Sequence, residues 1–483
     1  MTRLGYRALG ALAGRGDLLL PSGGAADRRV GIVHLGVGAF HRAHQAAFTE
    51  DCDPDGEWGI SGYTQRSGAV RDQLAPQDGL YTLLERGAGA APPRVVSVVR
   101  EVRAPGDAPG PAARIADPDI QVVTLTVTEK GYRFGPDGHL NLTDPLVRQD
   151  VAASRDGSDG AEPRTVVGQL VAGLRARRAG GTRGMSVVSC DNLTGNGAAL
   201  RRLVAEFCGA AGDADLAAWI EAETAFPSTV VDRIVPATTA ADLAVVADRL
   251  GVRDAGVVVA EPFRQWVIED RFAGARPAWE RAGAVLTGDV APYEAAKLRL
   301  LNAAHSLLAY TGALAGYATI VEAVADPDLH AAAWSLMADD AAPTLRMPPD
   351  FDLVGYQASI LDRFANPALG HRTTQVASDG SLKLPIRLLG TARDRLAAGA
   401  EPSWIALAVA AWMVFLAREP GLVDDPLRDT LTAAAAGRDD PTALVDALLG
   451  IRAVFDADLA ADRTFRTLLI THTTGLLKGA RVR

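Results

Sequence analysis

Apolar and polar positions along the chain follow two regimes that meet near residue 285. In the first, short apolar runs alternate with stretches of helical period. Val30-Gly31-Ile32-Val33-His34-Leu35 has the pattern of a buried strand and stops at Gly36-Val37-Gly38. Helix-compatible residues follow from Ala39 to Glu50, and Trp58-Gly59-Ile60-Ser61-Gly62-Tyr63 predicts the next strand. Further strand patterns lie at Val95 to Val99, Ile120 to Val127, Met185 to Cys190 and Val257 to Val259, with helices expected at Thr165 to Arg178 and Asn196 to Ala210. Strands alternating with helices predict an α/β, Rossmann-type domain around a largely parallel sheet.

From Pro292 onward, Ala/Leu-rich segments of helical period dominate and strand patterns nearly vanish. They are Pro292–Tyr310, Ile320–Val324, Pro327–Ala338, Tyr356–Phe364, Leu384–Ala398, Trp404–Ala417, Pro426–Ala436 and Pro441–Leu449. Two domains are expected: residues 1–285, dinucleotide-binding, and residues 286–483, mostly α-helical and carrying the substrate site. Loops are expected at Pro105–Gly110, Ser154–Pro163 and Pro343–Phe351, each rich in Gly, Pro or Asp. No internal repeat is evident.

Composition narrows the function. A chain of 483 residues with 48% hydrophobic and 22% charged residues is globular. A net charge of −9, with Arg interspersed among Asp and Glu, gives no electrostatic basis for nucleic acid. The apolar runs fall short of the roughly 20 residues a membrane span needs. Cys52, Cys190 and Cys208 have no metal-ligand spacing and suggest no disulfide framework. Residues 1–29 lack the apolar core of a signal peptide, so a cytoplasmic protein is expected. Oligomeric state is not legible.

Two segments carry chemistry. Gly36-Val37-Gly38-Ala39-Phe40-His41-Arg42-Ala43-His44 keeps the first two glycines of a dinucleotide fingerprint, one for the tight turn and one for approach of a pyrophosphate. His41 stands where the third glycine or alanine belongs, so helix–strand packing must differ there. After the second strand the chain reads Thr64-Gln65-Arg66-Ser67, without the acid that would select the 2′-hydroxyl of NAD. Arg66 is open to two readings, a partner for a 2′-phosphate or a solvated loop residue.

In the second segment, from Pro292 to His305, an α-helix puts Glu294, Lys297, Asn302 and His305 within one arc of about 140°, shared with Leu298, Leu301 and Leu308. One reading is a snorkelling Lys with satisfied Asn and His. The other is catalytic. A Lys desolvated among leucines has a lowered pKa and can move a proton to or from an oxygen while hydride moves at carbon. Asn302 can donate to that oxygen as charge builds.

The sequence resembles the polyol-specific long-chain dehydrogenase/reductase (mannitol dehydrogenase) family. The match covers Gly36 to His44, Thr126 to Tyr132, Ser189 to Asn192, Val231 to Pro236, Gln265 to Asp270, Lys297 to His305, and Asp379 to Pro385. The resemblance implies a metal-independent oxidoreductase with Lys297 as general acid/base. Asn192 and Asn302 would polarise the reacting oxygen, and Glu294 would act as proton relay. Asp232, His305 and Lys383 would line the sugar chain. Gly36, Gly38, Phe40, Arg42, Arg66 and Glu129 are the cofactor candidates, with NAD favoured by the resemblance and NADP possible.

Where mannitol-type members carry an Arg shortly before the Asp-Gly-Ser motif, this chain has Gln375. His371 to Ala377 looks more like the hexuronate-reducing branch. That implies reduction of D-fructuronate to D-mannonate, with the D-fructose/D-mannitol couple as alternative. A uronate carboxylate could be met by Arg372 or Arg387, either of which could equally be structural. A non-catalytic scaffold that kept the fold should have lost Lys297, Asn192, Asn302 and His305, and all four are present.

Overall fold

A computed structural model describes residues 1–21, 25–156 and 162–479. Part of the expected loop Ser154–Pro163, residues 157–161, lies outside that description, and residues 154–156 belong to the last turn of a helix (Pro145–Asp156). The chain forms two compact units, Met1–Val290 and Ala291–Arg483.

Eleven strands occur among the described residues, all in the first unit. They are β1 (Val30–Leu35), β2 (Gly59–Tyr63), β3 (Tyr81–Glu85), β4 (Arg94–Val96), β5 (Val99–Arg103), β6 (Val122–Leu125), β7 (Ser186–Ser189), β8 (Thr229–Asp232), β9 (Val258–Ala260), β10 (Gln265–Glu269) and β11 (Val285–Thr287). A five-stranded sheet has the order β5-β2-β1-β6-β7 and every pair in it is parallel. The order reverses beside β1, the topological switch at which Rossmann-type sheets bind dinucleotides. Both faces are covered, as parallel strands require. Val33, Leu35, Val123, Leu125 and Val187 join one core cluster, while Ile32, Val122 and Val188 join the other.

Two small sheets complete the unit, β11-β10-β8 and β4-β3-β9, each mixing parallel and antiparallel pairs. Strands β3, β8, β10 and β11 were not expected from periodicity, because each is only three to five residues long with a polar residue at an end, and the expected strand Val95–Val99 falls on two strands, β4 and β5. β11 pairs with β10, so the first unit runs to Val290 rather than ending at 285.

The expected helix Ala39–Glu50 is two helices, Ala39–Ala43 and Gln45–Cys52, broken at His44 (φ −120°, ψ −87°). Among the described residues the second unit carries no strand, only a single bridge between Thr319 and Arg372. At its centre lies helix Ser403–Arg418, in which every residue from Ile405 to Leu416 is buried. A helix apolar all round belongs inside a core, and here helices Ala303–Leu314 and Arg463–Leu477 pack on it. Periodicity missed the last of these. No helix among the described residues is long and apolar enough to cross a membrane.

The expected continuous helix from Pro292 to Tyr310 is three segments. An α-helix, Ala291–Ala296, passes into a π-helix, Lys297–Asn302, and then into the α-helix Ala303–Leu314. Two more π segments interrupt expected α-helices, Leu336–Ala341 and Pro385–Leu389. In the last, Pro385 supplies no N–H, which loosens the i→i−4 ladder.

Candidate active site

In the first unit, the turn after β1 is built on two glycines for different reasons. Gly36 has φ +101°, and a Cβ there would lie 2.1 Å from the carbonyl oxygen of Thr126. Only glycine fits. A Cβ on Gly38 would meet nothing nearer than Gly36 O at 3.8 Å, so the backbone presents an open face at the start of helix Ala39–Ala43. Its first N–H groups have no intrahelical acceptor, a donor set that fits a pyrophosphate.

The departure at His41 has a physical account. His41 stacks on His34 of β1 with ring centroids 3.5 Å apart, so two imidazoles make the helix–strand contact that a glycine usually allows. His34 is held by Thr124 Oγ1 (2.7 Å) and Thr126 Oγ1 (2.8 Å). Burial holds His34 at about 3 and keeps His41 neutral as well.

Arg42 is turned into the protein, where it donates to the carbonyl oxygens of Gly38 and Gly256 and lies over the Tyr81 ring. Its guanidinium therefore ties the glycine turn to the small sheets. Phe40 stacks on His44 (5.0 Å). Beyond β2 lies a cavity of about 730 Å³, lined by Tyr63 to Arg66, the loop Ala104–Ala108, Arg133 and Arg164 among others. It stands outside the carboxyl ends of β2 and β5, where the adenosine end of a dinucleotide fits. Arg66 is exposed at its rim, and Glu129 is exposed on a short turn, Glu129–Tyr132.

Asn192 follows β7 and is positioned by its neighbour. Asp191 is buried and accepts from the N–H groups of Val127 (3.1 Å) and Thr128 (2.7 Å) and from the Tyr132 hydroxyl (2.7 Å). Asn196 Nδ2 donates to the Asp191 carbonyl oxygen (3.0 Å) and to that of Thr229 (3.0 Å). Asp232 ends β8 and is buried. The adjacent Arg233 sends its guanidinium to Glu85 and to the carbonyl oxygens of Ala43 and Glu261. Within the Ser-Cys-Asp-Asn and Val-Asp-Arg motifs, Asp191 and Arg233 are scaffold, and Asn196, just beyond the first motif, joins them.

In the second unit, Lys297 and Asn302 open and close the π-helix, and each is only 8% exposed. In a straight α-helix residues five apart diverge by about 140°. With i→i+5 bonding they come onto one face. Glu294 lies one turn before, half-buried. His305 stacks on Phe364 (centroids 4.7 Å) and stands 5.7 Å from His371. Its Nε2 is enclosed with no hydrogen-bond partner. Burial, then His371, Arg387, Arg363 and Lys383, hold its pKa well below the usual range, so the ring is neutral and able to donate or accept.

Lys383 donates to Val376 O (3.3 Å) and Ser378 Oγ (3.2 Å), with Asp379 at 4.0 Å. Burial, helped by Arg387, brings its pKa down to about 8. Arg372, by contrast, is exposed at the start of helix Thr373–Val376. Among the described residues no group of three or more His, Cys, Asp or Glu is placed to hold a metal ion.

Residues 30–281 match the mannitol dehydrogenase Rossmann domain, and residues 289–474 match the mannitol dehydrogenase C-terminal domain. The chain belongs to the mannitol dehydrogenase family. It is 42% identical over 450 residues to D-mannonate oxidoreductase of Escherichia coli K12, covering 90% of each chain. It is 38% identical over 461 residues to mannitol 2-dehydrogenase of Pyrenophora tritici-repentis, covering 92% of this chain and 79% of that one. Among solved structures it is similar to Pseudomonas fluorescens mannitol 2-dehydrogenase in ternary complex with NAD and D-mannitol (35% identity, TM-score 0.83, 99% of both chains). It is also similar to a substrate-free D-sorbitol dehydrogenase (30% identity, TM-score 0.88, 99% of both chains).

As a member of the mannitol dehydrogenase family the protein is an oxidoreductase with a Rossmann unit followed by a helical one. The resemblance stated from sequence motifs is thereby established. One feature of the polar group in the second unit had only a faint signal in the sequence. Arg387 was one of two arginines near the Asp-Gly-Ser motif, and nothing in its spacing distinguished it from Arg372.

Proposed function

We propose that the protein catalyses the reversible, NAD-dependent reduction of an open-chain keto-uronate, D-fructuronate to D-mannonate. The observation that carries this reading is the burial of Lys297 and Asn302 at the two ends of one π-turn. A lysine and an amide on one face, beside leucines, suit a carbonyl oxygen that must gain a proton without metal assistance.

When bound, the nicotinamide supplies or accepts the hydride. Gly36 and Gly38, with the helix start that follows, hold its pyrophosphate; Phe40 and Glu129 are assigned to the same cofactor by family resemblance. With no acid after β2 and Arg66 beside the cavity, NADP is accommodated as well as NAD. Lys297, as ammonium, donates its proton to the ketone oxygen during reduction and takes it back from the alcohol during oxidation. Asn302 and Asn192 donate hydrogen bonds to that oxygen and hold it as negative charge develops. Glu294 returns the proton between Lys297 and solvent. Asp232, His305 and Lys383 line the substrate chain, and Arg372, exposed at the start of helix Thr373–Val376, is one of the two arginine candidates for a uronate carboxylate.

The choice of a uronate is supported by the 42% identity to D-mannonate oxidoreductase and by Gln375 in place of a mannitol-type Arg. The likeness to a mannitol 2-dehydrogenase structure favours a second reading, oxidation of D-mannitol to D-fructose. Oxidation of NADH and of NADPH, followed with D-fructuronate, D-tagaturonate and D-fructose, separates them. Turnover with D-fructuronate well above D-fructose is expected; no turnover with any ketose or keto-acid sugar would overturn the reading.

A further inference from the structure

Arg387 lies in the π-helix Pro385–Leu389, which packs against the π-helix that carries Lys297 and Asn302. Its side chain is half-buried, yet its hydrogen-bond partner is a neutral hydroxyl, Ser306 Oγ at 3.2 Å. No carboxylate lies within ion-pair distance of it among the described residues. Burial lowers its pKa, a sign that the charge is held against desolvation.

Buried arginines are normally matched by a carboxylate, because desolvating the ion costs several kcal/mol. Here the neighbouring charge makes the imbalance larger. Lys383, four residues earlier, also bonds only to neutral oxygens, with half-exposed Asp379 at 4.0 Å as the nearest acid. His305 adds the enclosed Nε2 beside them and is itself neutral. Two cations and an unpartnered imidazole nitrogen thus stand together, and although Asp379, Asp424 and Asp425 act on Lys383, Arg387 has no carboxylate partner among the described residues. Hydroxyl groups cannot balance that charge. A carboxylate can, because the planar guanidinium edge takes both oxygens at once.

We propose that Arg387, assisted by Lys383, seats the carboxylate at the end of the substrate chain, and so makes this enzyme select keto-uronates over neutral ketoses. The assignment rests on the keto-sugar reductase reading above and places the selective contact at Arg387, not at the exposed Arg372. The guanidinium acts on binding and register, while proton transfer stays with Lys297.

The test compares wild type, Arg387→Met and Arg387→Lys in kcat/KM for D-fructuronate, D-fructose and D-fructose 6-phosphate. In parallel, calorimetry measures binding of D-mannonate and D-mannitol to the intact enzyme with NAD. Arg387→Met is expected to lose at least about 100-fold in kcat/KM on D-fructuronate and less than about threefold on D-fructose, with Arg387→Lys intermediate. Its NADH affinity and melting temperature should match wild type. Equal losses on both sugars, no loss on either, or preference for the sugar phosphate overturns the proposal. Without turnover, calorimetry still decides. Arg387-dependent binding of D-mannonate keeps the seat while the reductase reading falls; D-mannonate bound no better than D-mannitol removes the seat.

Discussion

At the scale of single residues, a methyl group decides whether the glycine turn can form. Gly36→Ala would place Cβ 2.1 Å from Thr126 O in a backbone with φ +101°. The strain is at least about 1–3 kcal/mol before the clash is counted. The variant should melt several degrees lower and lose NADH affinity, read by thermal denaturation and fluorescence titration. Lys383 provides a pH prediction. Around it are Arg387, which disfavours its charge, and Asp379, Asp424 and Asp425, which favour it, and with burial the outcome is a pKa of about 8. KM for D-fructuronate should therefore rise as pH passes 8, because the ammonium is lost, while KM for D-fructose rises less. A flat KM from pH 7 to 9.5 would count against the carboxylate role of Lys383. The linkage to stability has the opposite sense. The unfolded lysine keeps its proton to about pH 10.4, so between pH 8 and that value the fold is relieved of a buried charge and gains stability. Residue requirements were legible where a motif fixed the backbone, as at Gly36. They were not legible for arginines, whose long side chains reach in any direction. Arg42 turns inward to Gly256, Arg66 and Arg372 are exposed, and Arg387 is half-buried.

At the scale of elements, the π-turns are what sequence periodicity does not reveal. The apolar spacing of Pro292–Tyr310 fits an α-helix well, and a single i→i+5 turn changes only the facing of a few residues. Those few include Lys297 and Asn302. A third π segment, Leu336–Ala341, has a structural role that can be measured. Asp340, buried within it, accepts from the backbone N–H groups of Trp404 (2.8 Å) and Ile405 (2.9 Å) at the start of the central helix Ser403–Arg418. Asp340→Ala removes the Oδ2 that accepts from both N–H groups and should cost about 1–2 kcal/mol, the range for a lost helix cap. Asp340→Asn, which keeps one acceptor oxygen, should cost less. Chemical denaturation of the two variants tests the order, and an undiminished Asp340→Ala midpoint would refute it. Strands such as β8 and β10 escaped the sequence reading for a related reason. Each is short and ends in a charged residue, Asp232 or Glu269, and its identity comes from the antiparallel partner it pairs with.

At the scale of the molecule, the turn proposed to hold the nucleotide and the lysine proposed to move the proton belong to different units. The glycine turn lies in Met1–Val290 and Lys297 in Ala291–Arg483. Lys297→Ala should therefore leave NADH affinity within about twofold while kcat falls by roughly 10²–10⁴, the usual contribution of a positioned acid/base. Stopped-flow turnover and NADH titration on the same preparation test the separation. Near-normal kcat with intact binding would show that the proton comes from elsewhere.

Sequence alone determined the class of each unit, because strand and helix periods are local and the switch near residue 285 is sharp. It also determined the family, because motifs from Gly36 to Pro385 occur together and in order. The tertiary structure decided what local period cannot encode. It put His34 against His41 in place of a glycine contact, wound the Lys297–Asn302 turn as a π-helix that narrows the arc between them, and left half-buried Arg387 without a carboxylate. Each depends on residues distant in the chain meeting in a packed interior, where the cost of a buried charge or a misplaced methyl group is set by neighbours the local sequence does not name.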